Sequence, residues 1–341
     1  MSNTITIYDI AAKLGISTST VSKALNGRPD VSRALRERVL QEAAALGYSP
    51  NVHARSLKMK KSWLVGVLYG TEQVGSFEHP LFLPIINAFK ERIESYGYEL
   101  LFLSQSSQFR GDSLLNHAFR RQVDGLLLLN VSQHVIQTLL NSSTDIPVVS
   151  CDTVIPSIPS ILTDNFIAGI QAVKFFYNLG HRDIGHIAGP TDSVSQAGIE
   201  RFLGYKQGLQ LCNLPYNENL VVTATEWTPQ AGQKAMEILL ERNISCSAIF
   251  CAADFYIMGL QNVCRRNGLH IPDDISVIGF DDVQWTEYVD PGFTTFRQNK
   301  EALGSIAADT LNSCIDGIVT ELEQRIPATL IVRGSVKEIV I

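Results

Sequence analysis

Between residues 64 and 280 the chain repeats one device, a short unbroken apolar run followed by a segment of helix length. The runs Leu64 to Tyr69, Glu99 to Leu103, Gly125 to Leu129 and Val148 to Cys151 form one series. Ile184 to Ala188, Leu220 to Ala224, Ala248 to Cys251 and Val277 to Phe280 form a second. Continuous rather than alternating apolar runs predict strands covered on both faces, and therefore parallel sheets wrapped by helices. Two series predict two α/β lobes, because two packed units are commoner than one long open sheet. Near the end, Thr294 to Gln298, a helix from Lys300 to Asp316 and a strand-rich segment from Ile326 to Val332 follow.

Residues 1–61 do not share this pattern. They carry ten Lys and Arg against four Asp and Glu, whereas the remaining residues carry 18 against 30. A net charge of -6 therefore conceals a basic head on an acidic body, an asymmetry that points to nucleic-acid contact at one end. With 45% hydrophobic residues the chain is not of disordered composition, and it lacks a run of about 18 uncharged apolar residues that would span a bilayer. Met1 to Thr6 have neither the basic start nor the apolar stretch of an export signal, so a cytoplasmic protein without membrane contact is expected. Cys151, Cys212, Cys246, Cys251, Cys264 and Cys314 show neither a CxxC pair nor zinc-type spacing. They read as buried reduced thiols, with no metal or cofactor expected.

In the head, Thr6-Ile7-Tyr8-Asp9 fits a capping box, and Ile7, Ile10, Ala11 and Leu14 follow at helical spacing until Gly15. Ser17 begins a second helix with Val21, Ala24 and Leu25 facing inward and Thr18, Ser19, Ser22, Lys23 and Asn26 facing out. Asn26-Gly27 stops it. A third helix carries Leu35, Val39, Ala43 and Leu46 on one stripe and ends at Gly47 before Pro50. Two short helices across a tight turn, braced by a third, describe a helix-turn-helix, or else a small interaction module with a solvated polar face. In the first reading Lys23 donates to guanine O6 and N7, and Thr18 and Ser19 reach bases or a thymine methyl. Ser17, Ser22, Asn26 and Arg28 then hold phosphates. The basic stretch Ser49 to Lys58 is too short to be a stable helix alone and reads as a hinge that orders on DNA.

Three runs now become specific: Ile7-Tyr8-Asp9-Ile10-Ala11, Ser17 through Gly27, and Gly47-Tyr48-Ser49-Pro50-Asn51 through Ala54-Arg55-Ser56-Leu57. Together they resemble the lactose repressor/galactose repressor (LacI/GalR) family of bacterial regulators. The resemblance implies further DNA contacts from Thr6, Tyr8, Asn51, Ala54, Arg55 and Lys58. It also implies that two hinge helices of a homodimer pair in the minor groove, where Leu57 wedges open a central base step of a palindromic operator. Such a wedge costs unstacking energy and kinks the duplex, and the bend brings more of the protein into contact.

Ligands of parallel α/β sheets gather at strand carboxyl ends. Asn130 ends the third run and Asp152 the fourth, Asp254 follows Cys251, and Asp281 follows Phe280. Trp227 and Arg201 stand near them in the second series. Converging acceptors and donors beside an aromatic plate are suited to a polyol. Each residue also has a plainer role: Asp254 as a helix cap, Asn130 and Asp152 as strand terminators, Trp227 as a packing aromatic, Arg201 as an interlobe ion-pair partner. His181 and His186 read as structural. The family resemblance, in register through Gly189-Pro190, Arg201 to Tyr205 and Ile278 to Asp282, places Phe82, Asn130, Asp152, Arg201, Trp227, Asp254, Asp281 and Gln298 at an effector cleft. Ala252-Ala253-Asp254 departs from it, since many sugar-responding members carry Asn before that Asp.

The expected architecture is thus an N-terminal all-α helix-turn-helix domain (1–48), a hinge (49–61) and an α/β two-lobed, periplasmic-binding-protein-like effector and dimerisation domain (62–341). The resemblance implies three chain crossings, with lobes of roughly 62–163 with 294–325 and 164–293 with 326–341. A sequence-specific regulator, expected to be a repressor, follows, with a sugar or sugar derivative as effector. A purine, nucleoside or protein corepressor is the alternative, and a secreted sugar-binding protein a remote one. No GxGxxG after a strand, GxxxxGK[ST], GxSxG or HExxH occurs, so an enzyme is not expected. The chain ends at Ile341 without a heptad tail, which favours a dimer over a tetramer.

Overall fold

The computed structural model describes residues 5–25, 28–48, 61–70, 80–103, 114–142, 145–191, 196–243 and 245–339. The chain divides into two compact units, residues 1–62 and 63–341.

In the first unit, the Thr6 amide and hydroxyl both donate to Asp9 Oδ2 at 2.8 Å and open helix α1 (Ile7–Leu14). Gly15 ends it at φ 66°, the left-handed region that glycine enters without steric cost. Helix α2 (Thr18–Leu25) starts where the Ser17 hydroxyl accepts from the Thr20 amide at 3.1 Å, and α3 (Arg33–Leu46) where Ser32 accepts from Leu35. Ile10, Val21 and Val39 are fully buried, one from each helix, and Ala11, Ala24 and Ala43 fill the space between them. Each large side chain contributes about 1.5–3 kcal/mol by leaving water, enough to hold three short helices that would not persist alone.

The second unit holds two six-stranded sheets. The first contains β1 (Leu64–Tyr69), β2 (Glu99–Phe102), β3 (Gly125–Leu129), β4 (Val148–Cys151) and β5 (Ser160–Thr163), with helices α4 (Phe82–Ser95), α5 (Leu114–Arg120) and α6 (Gln133–Leu140). After α7 (Asn165–Asn178) the second lobe runs β6 (Ile184–Ala188), α8 (Ala197–Leu211), β7 (Val221–Thr223), α9 (Pro229–Glu241), β8 (Ala248–Cys251), α10 (Asp254–Arg266) and β9 (Ser276–Phe280). The short α11 (Trp285–Tyr288), β10 (Thr294–Arg297), α12 (Lys300–Ile315), β11 (Glu323–Ile326) and β12 (Thr329–Ile331) complete the chain. The strand orders are β2-β1-β3-β4-β5-β11 and β7-β6-β8-β9-β10-β12. Apart from β12, which pairs antiparallel to β10, the strands are parallel.

Burial explains the unbroken apolar runs. In β1 and β3, Val65, Val67, Leu127 and Leu129 face α4 and α12, while Leu68, Leu126 and Leu128 face the α5 and α6 side. Neither face of these strands meets water, so polar alternation would leave groups buried without partners.

The chain passes between lobes at Thr163 to Asn165, Arg297 to Lys300 and Ile326 to Thr329. The second passage corrects the expected boundary: β10 pairs with β9, so residues 294–297 lie in the second sheet and not with the first lobe. The strand-rich segment expected from Ile326 to Val332 is two strands in different sheets, and β5 lacks a counterpart among the expected strands. The six cysteines are free thiols, and burial pushes the Cys246 thiol up to about 11 and the Cys264 thiol to about 12. Among the described residues no helix is long and apolar enough to cross a membrane, and no group of His, Cys, Asp and Glu is placed to hold a metal ion.

Candidate functional site

Two surfaces carry the expected functional residues, one on each unit. On the head, Ser17, Ser19, Lys23 and Arg28 are exposed and Thr18 and Ser22 half-buried, while Val21 and Ala24 of the same helix are buried. The polar side chains at the start of α2 therefore form the face the core leaves outside. Thr6 is exposed, and Tyr8 keeps 70% of its surface in solvent, a large aromatic with a polar tip and no cover within the unit. Lys23 Nζ lies 2.6 Å from Asp30 Oδ2, both side chains about half exposed, so this pair is a weak tether that a phosphate or base edge can replace. Asn26, Asn51, Ala54, Arg55, Leu57 and Lys58 lie outside the described residues.

In the second unit the cleft is built from backbone outward. Asn130 leaves β3 at φ 50°, Asp152 leaves β4 at φ 73°, and Asp281 and Asp282 leave β9 at φ 114° and 48°. Asn and Asp are the side chains that tolerate this region best, and φ 114° is strained even for them. Two strands of the first sheet and one of the second thus each end with a polar residue turned sharply out of its strand, the place where such sheets bind ligands.

Arg201 supplies the cationic centre. It comes from the first turns of α8, is 3% exposed, donates from Nε to Asn165 Oδ1 at 2.9 Å and from Nη1 to the Ala252 carbonyl at 2.6 Å. Its guanidinium carbon sits 3.5 Å above the Phe280 ring and 5.8 Å from the Trp227 ring. Nη2 has no hydrogen-bond partner among the described residues. Burial pulls the guanidinium below its ordinary value, opposed first by the Asp281 charge and then by that of Asp152. Asp281 stands in the second lobe with Arg201 and Asp152 in the first, so the guanidinium feels one carboxylate from each lobe.

Gln298, on the second crossing and 2% exposed, donates from Nε2 to Asp281 Oδ1 at 2.6 Å while its Oε1 accepts from the Thr163 hydroxyl at 2.5 Å. Asp282 accepts from Arg297 Nε at 2.5 Å and Arg333 Nη2 at 2.8 Å, which pins the turn that presents Asp281. Asp281 Oδ2 has no hydrogen-bond partner among the described residues. Trp227 stacks on Tyr256 at 5.7 Å, nearly parallel, and covers Gly189 so closely that a Cβ there would overlap the indole. Glycine at 189 is what lets the ring lie against the β6 end. Phe82 opens α4 and packs its ring 5.6 Å from that of Tyr69.

Asp254 departs from the expected role. It is fully buried, its Oδ1 accepts from the Thr295 hydroxyl at 2.7 Å and its Oδ2 from the Val283 amide at 3.0 Å. Both oxygens are used inside the lobe, tying α10 to β10 and to the turn after β9. Burial first, and then the Asp281 charge, push its carboxyl well above the usual range. It braces the rim and does not line it. His186 is likewise internal, stacked 4.8 Å from Phe250 and 4.9 Å from Tyr205, with Nδ1 donating to the Phe250 carbonyl at 2.7 Å.

Sequence reading missed Asn165 and Glu200. Asn165 is 4% exposed and accepts from Arg201, and Glu200 reaches Arg325 of the first sheet through paired bonds at 2.8 and 3.0 Å. The neighbouring Asp164-Asn165 after an apolar stretch was the available signal, readable as a helix cap and no more.

Comparison with known proteins finds a family match in each of the two units. A family model for bacterial regulatory proteins of the lacI family matches residues 6–51, and one for a periplasmic binding protein-like domain matches residues 173–336. The HTH-type transcriptional repressor CytR of Escherichia coli (strain K12) is 31% identical over 336 residues, 97% of this chain and 96% of that protein. Among solved structures, a transcriptional regulator CelR–cellobiose complex is similar with a TM-score of 0.72 at 29% identity, covering 97% of this chain and 99% of that one. A lac repressor dimer bound to operator and the anti-inducer ONPF gives a TM-score of 0.81 at 25% identity, covering 98% and 100%.

Proposed function

The chain belongs to the lacI family of bacterial regulatory proteins, a DNA-binding transcriptional regulator, and from that premise we propose a dimeric repressor whose hold on its operator is set by a small polar effector in the cleft. The observation that carries the effector reading is the rim itself: Asp281 at a strained φ with one free oxygen, and buried Arg201 with one free nitrogen. Neither atom is sealed from solvent, so a donor and an acceptor stand open beside each other, and a ligand hydroxyl can engage one of each. Asn130, Asp152 and Gln298 add further hydrogen-bonding groups, with Phe82 and Trp227 as apolar walls. An effector that prefers one lobe arrangement shifts the population of the other, and the head reads that shift.

The alternative effector class is a nucleoside or purine, favoured by the Trp227–Tyr256 stack, which fits a base as well as a sugar face. The head reads DNA through Thr18, Ser19 and Lys23, with Thr6, Tyr8, Ser17, Ser22 and Arg28 on phosphates. Two heads on a dimer require an inverted-repeat site. We propose no catalytic task for the chain, a reading supported by relatives that are transcriptional regulators. A thermal-shift panel on the full chain, using cellobiose, lactose, glucose 6-phosphate, cytidine and hypoxanthine as probes, tests the effector reading. Stabilisation by a carbohydrate supports it, stabilisation by cytidine or hypoxanthine alone favours the second class, and loss of the shift in Arg201→Ala locates the site.

A further inference from the structure

Glu200 and Arg201 are neighbours on α8 that serve different partners. Arg201 turns inward to the cleft, whereas Glu200 accepts two parallel hydrogen bonds, at 2.8 and 3.0 Å, from Arg325 on β11 in the other lobe. Arg325 also donates from Nε to Glu323 at 2.6 Å, and these carboxylates hold its guanidinium further above its ordinary value. A forked guanidinium on a carboxylate is the strongest form of side-chain ion pair, and this one is partly withdrawn from water, at 16% and 30% exposure.

Asn165 touches both neighbours. Its Oδ1 accepts from Arg201 Nε at 2.9 Å, and its Nδ2 donates to the Thr163 carbonyl at 3.0 Å and to Glu200 Oε2 at 3.4 Å. Guanidinium is donor-only and carboxylate acceptor-only, so the amide has one workable orientation, and a flip would set like groups against each other on both sides. The helices that carry these residues are packed backbone to backbone at two glycines. A Cβ on Gly204 of α8 would overlap the Phe166 backbone of α7, and one on Gly169 would meet the Arg201 carbonyl. A displacement of the Arg201 guanidinium, held also by the Ala252 carbonyl and the Phe280 ring, bears on Asn165 through the Nε–Oδ1 bond, and a turn of that amide would weaken its bond to Glu200.

We infer that Asn165 is a positioning residue that links Arg201 to the Glu200–Arg325 pair, and that this pair is an interlobe latch whose closure depends on how Arg201 is held. The inference rests on the effector reading for its purpose, since occupancy of the cleft is what would move Arg201. It requires no identified ligand for its test. A connection of this kind has physical meaning only if a change at one end alters the equilibrium at the other.

The test is hydrogen exchange on the ligand-free full chain, read at the amides of β11 in the first lobe. Arg201→Lys keeps the charge but lacks the Nε donor, and should speed exchange at β11 roughly tenfold, as opening of a local contact does. Asn165→Ala should speed it comparably, and the double variant should match Asn165→Ala alone. Asn165→Asp, which keeps an acceptor for Arg201 but sets a carboxylate against Glu200, should open β11 while leaving exchange around the Arg201 end of α8 unchanged. Unchanged β11 exchange in Arg201→Lys, or equal additional speeding by it in the Asn165→Ala background, overturns the inference. Either result leaves the thermal-shift panel, and with it the effector reading, standing or falling on its own.

Discussion

The side-chain amide of Gln298 donates to the Asp281 carboxylate at 2.6 Å, from the segment on which the chain passes between lobes. Because the same amide accepts from Thr163 at the end of β5, one buried residue fixes the acidic rim of the second lobe against the first. Gln298→Ala should leave operator affinity without effector unchanged and weaken effector affinity about 10- to 100-fold, the range for losing a hydrogen bond to a charged group. Titration calorimetry with whichever panel compound stabilises the chain checks this.

Asp254 behaves as a brace, and its substitutions should separate accordingly. In Asp254→Asn, one amide atom still accepts from Val283 while the other donates to Thr295, so urea unfolding at acid pH, where the wild-type carboxyl is neutral as well, should move little. Asp254→Ala strands the Val283 amide and should cost about 1–3 kcal/mol. The pH dependence has a definite sign. Its carboxyl is raised well above 3.8 in the fold, so the wild-type residue favours the folded state at low pH, and that advantage is lost as pH rises through the raised value. Asp254→Asn should therefore gain stability relative to wild type as pH increases.

Much of this arrangement is legible in the residues and part of it is not. Leu64–Tyr69 and Gly125–Leu129 are central strands buried on both faces, so their composition alone marks them. Ser160–Thr163 is short and begins and ends with hydroxyl side chains, and Glu323–Ile326 is largely polar; the first is a strand because it lies between β4 and β11, and the second because it pairs with the first, Ser160 beside Glu323. That pairing is a fact about distant sequence and has no local signature. Asn130, Asp152 and Asp281 are recognisable because each follows a strong strand. Asn165 and Glu200 draw their meaning from contacts across the cleft and across the lobes, and Asp254 was misplaced because its position after β8 does not reveal that Thr295 and Val283 have already taken its oxygens.

Acid should destabilise the body through His186. Burial lowers this imidazole from 6.5 to about 3 in the fold, and its Nδ1 proton is committed to the Phe250 carbonyl. The unfolded chain takes up a proton below 6.5 and the folded chain does not. Stability is therefore lost as pH falls from 6.5 toward 3, at up to about 1.4 kcal/mol per pH unit for this group. His181, lowered chiefly by burial as well, adds in the same direction. His186→Phe, which keeps the aromatic stack, should flatten the decline measured by urea unfolding across that window.

Lys23 is the head residue with a base-reading donor and only an exposed ion pair to release. Lys23→Ala should relax preference at one base pair of each half-site, by about 1–3 kcal/mol, and leave the other positions as they were. Selection from a randomised inverted-repeat library reads this directly. A uniform loss across all sequences would instead make Lys23 a phosphate contact.

Whether an effector in the cleft controls the head is read from operator binding measured with and without it. The full chain is titrated onto a labelled inverted-repeat duplex from that selection, with the stabilising panel compound at saturation or absent, for wild type and for Arg201→Ala. The compound should change the wild-type Kd by about tenfold or more, within the usual span of allosteric coupling, while Arg201→Ala binds the duplex normally and does not respond. An unchanged wild-type Kd, or an equal response in Arg201→Ala, would contradict that control.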